Sequence, residues 1–167
     1  MFTLLPHQKE ILNATLLNKK GIITCPTGGG KTYTMITDSR RFLTPGDVVV
    51  VVAPQLLLSE QLFNEFDKHL DDVNFMFRQV SSEGKTWSRN RERLKFRINP
   101  AKSPTTIIEE IRDTYRIAQK ARKPLILFST YASLDRIVSS MIPVTVAYYD
   151  EAHNSTNSDH FDAVQSL

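Results

Sequence analysis

The amino-acid sequence predicts an α/β domain whose central β-sheet is mostly parallel and covered by helices on both faces. Apolar runs typical of strands alternate with segments whose apolar residues recur at helical spacing. The runs are continuous in valine, isoleucine and leucine, as in strands buried on both faces, rather than alternating with polar residues. The length of 167 residues suits one such domain with a sizeable core and is short for two.

Five short apolar runs, bounded by proline or turn residues, predict the strands of this sheet. The first run stops at Pro26 and the second at Pro54, where the missing N–H cannot continue a central ladder. In chain order, the predicted strands are residues 21–25, 47–53, 74–79, 125–128 and 144–149.

Five segments with helical periodicity predict the covering layers. The first follows Pro6, which is tolerated in a first helical turn, and the second follows a glycine-rich turn. The third carries Leu58, Leu62 and Phe66 at steps of four, which places these apolar side chains on one face. In chain order, the predicted helices are residues 4–17, 31–41, 55–70, 105–121 and 131–138.

Composition excludes several classes of protein. The hydrophobic fraction of 41% and the charged fraction of 23% are typical of globular domains, not of collagen-like or largely disordered chains. The longest aliphatic run, 48–53, is far shorter than a membrane helix needs, and the first residues do not resemble a signal peptide. The single cysteine, Cys25, excludes an intramolecular disulfide and fits a reducing compartment, so we expect a cytoplasmic location.

Residues 80–104 lack periodicity, which predicts an irregular insertion. Eight basic and two acidic residues fall within 78–102, although the net charge of the whole chain is only +3. This asymmetry indicates a localised anionic partner. Because aromatic residues lie among the basic ones, we predict that Arg89, Arg91 and Arg93 contact nucleic acid; a solvated loop explains the same pattern about as well.

Residues 25–32 read Cys-Pro-Thr-Gly-Gly-Gly-Lys-Thr between a predicted strand and a predicted helix, the context that a phosphate-binding loop requires. The glycines let backbone N–H groups approach a polyphosphate, and the helix N-terminus adds unpaired donors. Lys31 can reach the β- and γ-phosphates, and the Thr32 hydroxyl can ligate Mg²⁺. A glycine-rich turn that only caps a helix is the alternative. The predicted nucleotide contacts are Pro26, Thr27, Gly28, Gly29, Gly30, Lys31 and Thr32.

Residues 150–153 read Asp-Glu-Ala-His and follow the last predicted strand. A carboxylate at this point, Asp150, can hold the water shell of Mg²⁺. Glu151 beside it can accept a proton from a water that attacks the γ-phosphate. The alternative is an acidic helix cap on a surface turn.

The two motifs together resemble motifs I and II of superfamily-2 helicases, motif II in its Asp-Glu-Ala-His form. Three further segments resemble family motifs in the expected order. Residues 5–8, Leu-Pro-His-Gln, are similar to the motif whose glutamine reads adenine; residues 52–61 resemble motif Ia; residues 128–133 resemble the Thr-Tyr-x-Ser segment of double-strand translocases. The combination is most similar to bacterial or phage DNA helicases related to type III restriction motor subunits.

The resemblance implies a RecA-like P-loop NTPase fold, a three-layer sandwich that binds ATP and Mg²⁺. It implies that Gln8 reads the adenine and that Thr32 and Asp150 hold Mg²⁺. It implies catalytic roles for Lys31, Asp150, Glu151 and His153, and nucleic-acid contacts for Pro54, Gln55 and Thr130.

It also implies that residues 1–167 form a single ATP-binding domain, the first motor domain of a protein in a bacterial or phage-infected cell. A motif III and a second RecA-like domain, which would carry the arginine finger, are not found in this sequence. We therefore expect weak hydrolysis from the chain by itself, since such an arginine is worth about 10³–10⁵ in rate.

Three functions remain open at this point. The first is an ATP-dependent DNA helicase or translocase, and the second is the motor of a restriction or remodelling complex that translocates without unwinding. The third is a nucleotide-binding domain without turnover, which the presence of Lys31, Thr32, Asp150 and Glu151 opposes.

Overall fold

A computed structural model describes residues 4–26, 28–82 and 104–152. The helices are α1 (Pro6–Leu17), α2 (Lys31–Ser39), α3 (Leu56–His69), α4 (Ile108–Lys120) and α5 (Leu134–Ser140). The strands are β1 (Val48–Ala53), β2 (Met76–Val80), β3 (Leu125–Thr130) and β4 (Val146–Tyr149). Single 3₁₀ turns extend α2 through Arg40–Phe42 and precede α5 at Tyr131–Ser133. No helix in the described part of the chain is long and apolar enough to cross a membrane.

The four strands form one parallel sheet in the order β2-β3-β1-β4. The central strands β1 and β3 are buried almost throughout, as their unbroken apolar sequences predict. Each parallel connection between neighbouring strands passes through a helix, which covers a face of the sheet. The prediction of an α/β sandwich with a mostly parallel sheet is confirmed.

Two apolar layers hold the helices to opposite faces of the sheet. On one face, α2 and α3 pack through Ile36 and Phe66 against side chains such as Phe128, and the rings of Phe66 and Phe128 meet edge to face at 5.5 Å. On the other face, α4 and α5 bury Ile111 and Leu134 against alternate residues of the same strands. The result is a three-layer sandwich with its sheet in the middle.

The strand register places the predicted functional segments at one edge. Ala53 is paired with Thr130, and Val52 is paired with Tyr149. Because parallel strands end at the same edge, the segments that follow β1, β3 and β4 emerge side by side there.

One predicted strand is wrong in this structure. Residues 21–25 have no regular secondary structure, and within them Ile22 is 87% exposed and Ile23 is 49% exposed. The apolar run favours a strand locally, but a strand also needs a neighbour to satisfy its backbone groups. Within the described ranges no strand lies beside this segment, so it stays unpaired.

The predicted insertion begins and ends at a closed neck. Val80 and Thr105 form an isolated parallel bridge, the Ser81 N–H donates to the Thr105 carbonyl at 3.1 Å, and the Thr105 N–H donates to the Gln79 carbonyl at 3.2 Å. Residues 83–103 lie outside the described part of the chain. Both flanks of the insertion therefore lie at the carboxyl end of β2.

Candidate nucleotide site

The turn before α2 has the backbone conformation that its glycines predict. Gly28 and Gly30 both have φ of 78°, in the left-handed region that favours glycine. A Cβ at Gly29 would collide with the Cys25 sulfur, and a Cβ at Gly30 would collide with the side chain of Gln8. The sequence of the turn is thus restricted by its own packing.

Helix α1 holds the turn from one side. Gln8 is 5% exposed; its Oε1 accepts the Leu5 N–H at 2.9 Å, and its Nε2 donates to the Gly29 carbonyl at 3.4 Å. The His7 Nε2 lies 2.9 Å from the same carbonyl oxygen. Gln8 therefore does not face solvent, and these contacts use one of the two lone pairs and one of the two N–H groups of its amide.

Lys31 and Glu151 join the turn to the end of β4. The Lys31 Nζ donates to Glu151 Oε1 at 3.0 Å, across 120 residues of sequence. This hydrogen bond raises the pKa of Lys31, and the charges of Glu151 and Asp150 add to the effect. Lys31 is therefore a full positive charge at the first turn of α2, with two carboxylates as its neighbours.

Asp150 is held by its backbone at the end of the sheet. Its N–H donates to the Val52 carbonyl at 2.8 Å, which extends the pairing of β4 with β1 by one residue. Burial raises the pKa of Asp150, and the neighbouring Glu151 raises it further, against the lowering effect of Lys31. Asp150 and Glu151 carry two negative charges, and Lys31 offsets one of them. The net negative charge that remains beside the turn favours binding of a divalent cation.

The residues at this site suit a nucleoside triphosphate with Mg²⁺ better than a metal ion alone. No group of three or more histidine, cysteine or acidic residues in the described ranges could hold a metal by itself. Mg²⁺ in nucleotide sites is usually held by one or two protein oxygens together with substrate phosphates. Thr32, half-buried in the first turn of α2, and Asp150 at the end of β4 are the residues that the sequence predicts for this role.

The segments after β1 and β3 lie beside this site along the same edge. Pro54 is half-buried and Gln55 is exposed at the start of α3, where its side chain makes no capping hydrogen bond. Thr130 ends β3, and its hydroxyl lies 3.5 Å from the Ser133 hydroxyl. The next residue, Tyr131, donates its hydroxyl to the Asp150 carbonyl at 3.0 Å.

Two contacts at this edge were not predicted from the sequence. Tyr131 connects the segment after β3 to Asp150, and burial raises the pKa of its hydroxyl, so it remains a donor. His7 contacts the turn through Gly29. Both residues belong to segments that resemble family motifs, residues 128–133 and 5–8, but the resemblance gave neither of them a role.

Five predicted site residues cannot be placed. Thr27, His153, Arg89, Arg91 and Arg93 lie outside the described residues. Their proposed roles are therefore carried by sequence alone.

The fold and the turn before α2 define the class: a RecA-like α/β domain with a glycine-rich phosphate-loop sequence at the edge of its parallel sheet. A family model described as "Type III restriction enzyme, res subunit" matches residues 1–167, and the chain belongs to this family, which is superfamily-2 helicase-like. No curated protein sequence matches the chain.

A solved structure shows the same fold. It is a nuclease-deletion mutant of the Type ISP restriction-modification enzyme LlaGI, in complex with a DNA substrate mimic. The match has a TM-score of 0.70 and 21% sequence identity, and it covers 96% of this chain. The chain spans 13% of the length of that protein, so the match concerns one part of a much longer polypeptide.

Proposed function

We propose that this chain is an ATP-binding and ATP-hydrolysing motor domain that acts on DNA. The observation that carries the proposal is the pairing of Lys31 with Glu151 next to Asp150, directly beside the glycine turn. Membership of a restriction motor family supports the same reading. DNA in the complex of the LlaGI mutant supports DNA as the polymer.

The nucleotide would lie between the turn and the end of β4. Backbone N–H groups of the turn and the Lys31 ammonium would bind the phosphates, and Gln8 would meet the adenine edge with its second lone pair and second N–H. Thr32 and Asp150 would hold Mg²⁺, which when bound neutralises phosphate charge.

Glu151 is the proposed general base. In the structure its carboxylate pairs with Lys31. A lysine that binds phosphate would leave this carboxylate free to accept a proton from water. Glu151 adopts a φ of 51°, which is uncommon for a residue other than glycine and is typical of positions where local structure imposes a side-chain direction.

DNA would lie along the neighbouring part of the same edge. Pro54 and Gln55 follow β1, Thr130 ends β3, and the neck of the basic insertion lies next to them at the end of β2. A backbone phosphate would meet exposed amide, hydroxyl and N–H groups there, which positions DNA without reading its sequence. Tyr131 connects this region to Asp150.

Two variants at one ion pair test the nucleotide site. Lys31→Ala removes both the ion pair and the hydrogen bond, whereas Glu151→Gln removes the charge and keeps an amide oxygen that Lys31 can still reach. We expect Lys31→Ala to abolish Mg·ATP binding in calorimetry. In the full-length protein, we expect Glu151→Gln to retain ATP binding while losing DNA-stimulated phosphate release by about 10²-fold or more.

The parent chain must bind Mg·ATP for the proposal to stand. A folded Lys31→Ala variant with the affinity of the parent would exclude the phosphate assignment. Binding by the parent with no phosphate release, in the presence or absence of DNA and of the rest of the motor, would favour a nucleotide-binding domain without turnover.

The salt dependence of DNA binding tests the basic insertion. Replacing Arg89, Arg91 and Arg93 with alanine should lower the slope of log K against log salt by as much as about 3 units, if all three contact duplex phosphates. Lys19→Ala and Lys20→Ala, at exposed positions after α1, form a matched control that should leave the slope unchanged. Equal slopes for the arginine variant and the parent would mean that these three arginines do not contact DNA, as expected for a solvated loop.

A further inference from the structure

A buried carboxylate on α2 gathers hydrogen bonds from three directions. Asp38 is 4% exposed. Its Oδ1 accepts the Thr15 hydroxyl of α1 at 2.7 Å and also pairs with the Arg41 guanidinium. Its Oδ2 accepts the Tyr148 hydroxyl of β4 at 2.6 Å. One carboxylate thus fastens α1, α2 and β4 to each other.

These three elements are the ones that carry the proposed nucleotide contacts. Thr15 lies seven residues after Gln8 on α1, and Asp38 lies seven residues after Lys31 on α2. Seven residues are about two helical turns, so each pair lies on one side of its helix, about 10 Å apart. Tyr148 lies two residues before Asp150, and alternate residues of a strand share a face.

The connection matters because the sheet does not supply it. The segment between α1 and the turn, residues 21–25, pairs with no strand in the described ranges. Apolar packing of α2 against the sheet resists separation but allows sliding, whereas hydrogen bonds to a buried carboxylate set a direction. Burial and the hydrogen bond to Asp38 also raise the pKa of Tyr148, so its hydroxyl stays a donor at any physiological pH.

We propose that Asp38 is a positioning residue that sets the placement of Gln8, Lys31 and Asp150 relative to each other and so sets the affinity for Mg·ATP. This inference rests on the proposed function. Asp38 lies about two helical turns along α2 from Lys31, and it does not touch the nucleotide in the proposed arrangement. Its effect is transmitted through the Thr15 and Tyr148 hydroxyls.

The opposite edge of the sheet offers a matched control. There Arg78 of β2 is buried and pairs with Glu110 of α4, and no predicted nucleotide contact lies on either element. Glu110→Gln therefore perturbs the ion pair between the exposed Glu110 and the buried Arg78 without touching α1, α2 or β4. Burial lowers the pKa of Arg78, so this pair is also sensitive to losing its carboxylate.

The experiment removes single hydroxyl groups rather than the carboxylate, because Asp38→Asn can prevent folding. Tyr148→Phe deletes one hydrogen bond to Asp38. Thr15→Val also deletes one, together with the contacts of the same hydroxyl to the Leu12 carbonyl and the Arg41 guanidinium, and Thr15→Ser keeps the hydroxyl. Calorimetry with Mg·ATP and with inorganic triphosphate is compared with thermal unfolding of each variant. We expect Tyr148→Phe and Thr15→Val to bind Mg·ATP about 3- to 10-fold more weakly, which corresponds to the net contribution of one hydrogen bond of ordinary strength.

Thr15→Ser and Glu110→Gln should bind Mg·ATP like the parent. Triphosphate, which reaches only the turn and α2, should bind Tyr148→Phe as tightly as it binds the parent. A purely structural role would instead lower both affinities in proportion to the loss of folded protein. If folded Tyr148→Phe and Thr15→Val bind Mg·ATP like the parent, the positioning role is wrong and the proposed function stands. If the parent does not bind Mg·ATP, the proposed function fails first.

Discussion

Two apolar segments of this chain have similar sequences and opposite environments. Residues 48–53 form the central strand β1, whose valines are at most 1% exposed. Residues 21–25 also form a short apolar run that ends at a proline, yet Ile22 is 87% exposed. Residues 48–53 lead into the segment that is proposed to contact DNA, and residues 21–25 lead towards the glycine turn at residues 28–30.

The segment after β1 and the glycine turn before α2 are therefore held in place by different forces. The turn after β1 is fixed by a strand with neighbours on both sides and helices on both faces. The glycine turn is instead held by polar contacts from Gln8 and His7 to Gly29 and by the pairing of Lys31 with Glu151, while the hydrogen bonds of Asp38 connect the neighbouring α1, α2 and β4. Apolar burial gives a rigid support, while a few directed hydrogen bonds give one that a ligand can rearrange.

The largest expected effect on stability concerns the sheet that supports the segment after β1. Phe128 is fully buried, is the register partner of Val51, and contacts the rings of Phe63 and Phe66. Phe128→Ala should lower the free energy of unfolding by about 3–5 kcal/mol, through lost burial and the cavity left behind. Urea denaturation followed by circular dichroism measures the change.

Phe128→Leu serves as the control, since it keeps most of the volume and should cost less. A loss below about 1 kcal/mol for Phe128→Ala would show that the sheet is not the rigid support inferred here, because buried aromatic truncations cost several times more.

The buried side of this comparison was predictable from the sequence, and the exposed side was not. Valine runs and four-residue spacing determine β1 and α3 through local pattern, and their bounds agree with the prediction to within one or two residues. Strand formation at residues 21–25 depends on whether a neighbour exists, which no local pattern contains. Thr130 ends β3 two residues later than predicted, since polar residues are accepted where a strand reaches the edge.

The candidate site divides in the same way. Lys31, Asp150 and Glu151 were predicted from motifs, and the structure brings them together. Asp38, Thr15 and Tyr148 belong to no motif, and their meeting depends on how two helices pack against a distant strand. Sequence reasoning therefore found the residues proposed to touch the ligand and missed those that hold them in place.

A smaller effect is expected at the glycine turn, where Gln8 is proposed to set the preference for ATP over GTP. The Gln8 amide contacts the turn, and the proposed function assigns its second lone pair and second N–H to the adenine edge. Guanine presents an acceptor where adenine presents a donor, so Gln8→Ala should reduce the preference for ATP over GTP by about 1–3 kcal/mol. The measurement is the affinity of parent and variant for both nucleotides.

His7→Ala is the matched control, because His7 contacts the same Gly29 carbonyl without the amide that pairs with a base. It should weaken ATP and GTP equally. If Gln8→Ala also weakens both nucleotides equally, Gln8 supports the turn but does not read the base.

The smallest expected effect tests the exposed segment itself. Because Ile22 is 87% exposed, Ile22→Ser removes little buried surface, and the free energy of unfolding should change by no more than about 0.5 kcal/mol. Val50→Ser, a change of the same kind in fully buried β1, should instead cost several times more, since it also buries a hydroxyl. Urea denaturation of both variants under one set of conditions compares them directly. A loss of several kcal/mol for Ile22→Ser would mean that residues 21–25 are covered in solution, and the segment after β1 and the glycine turn would then share one kind of support.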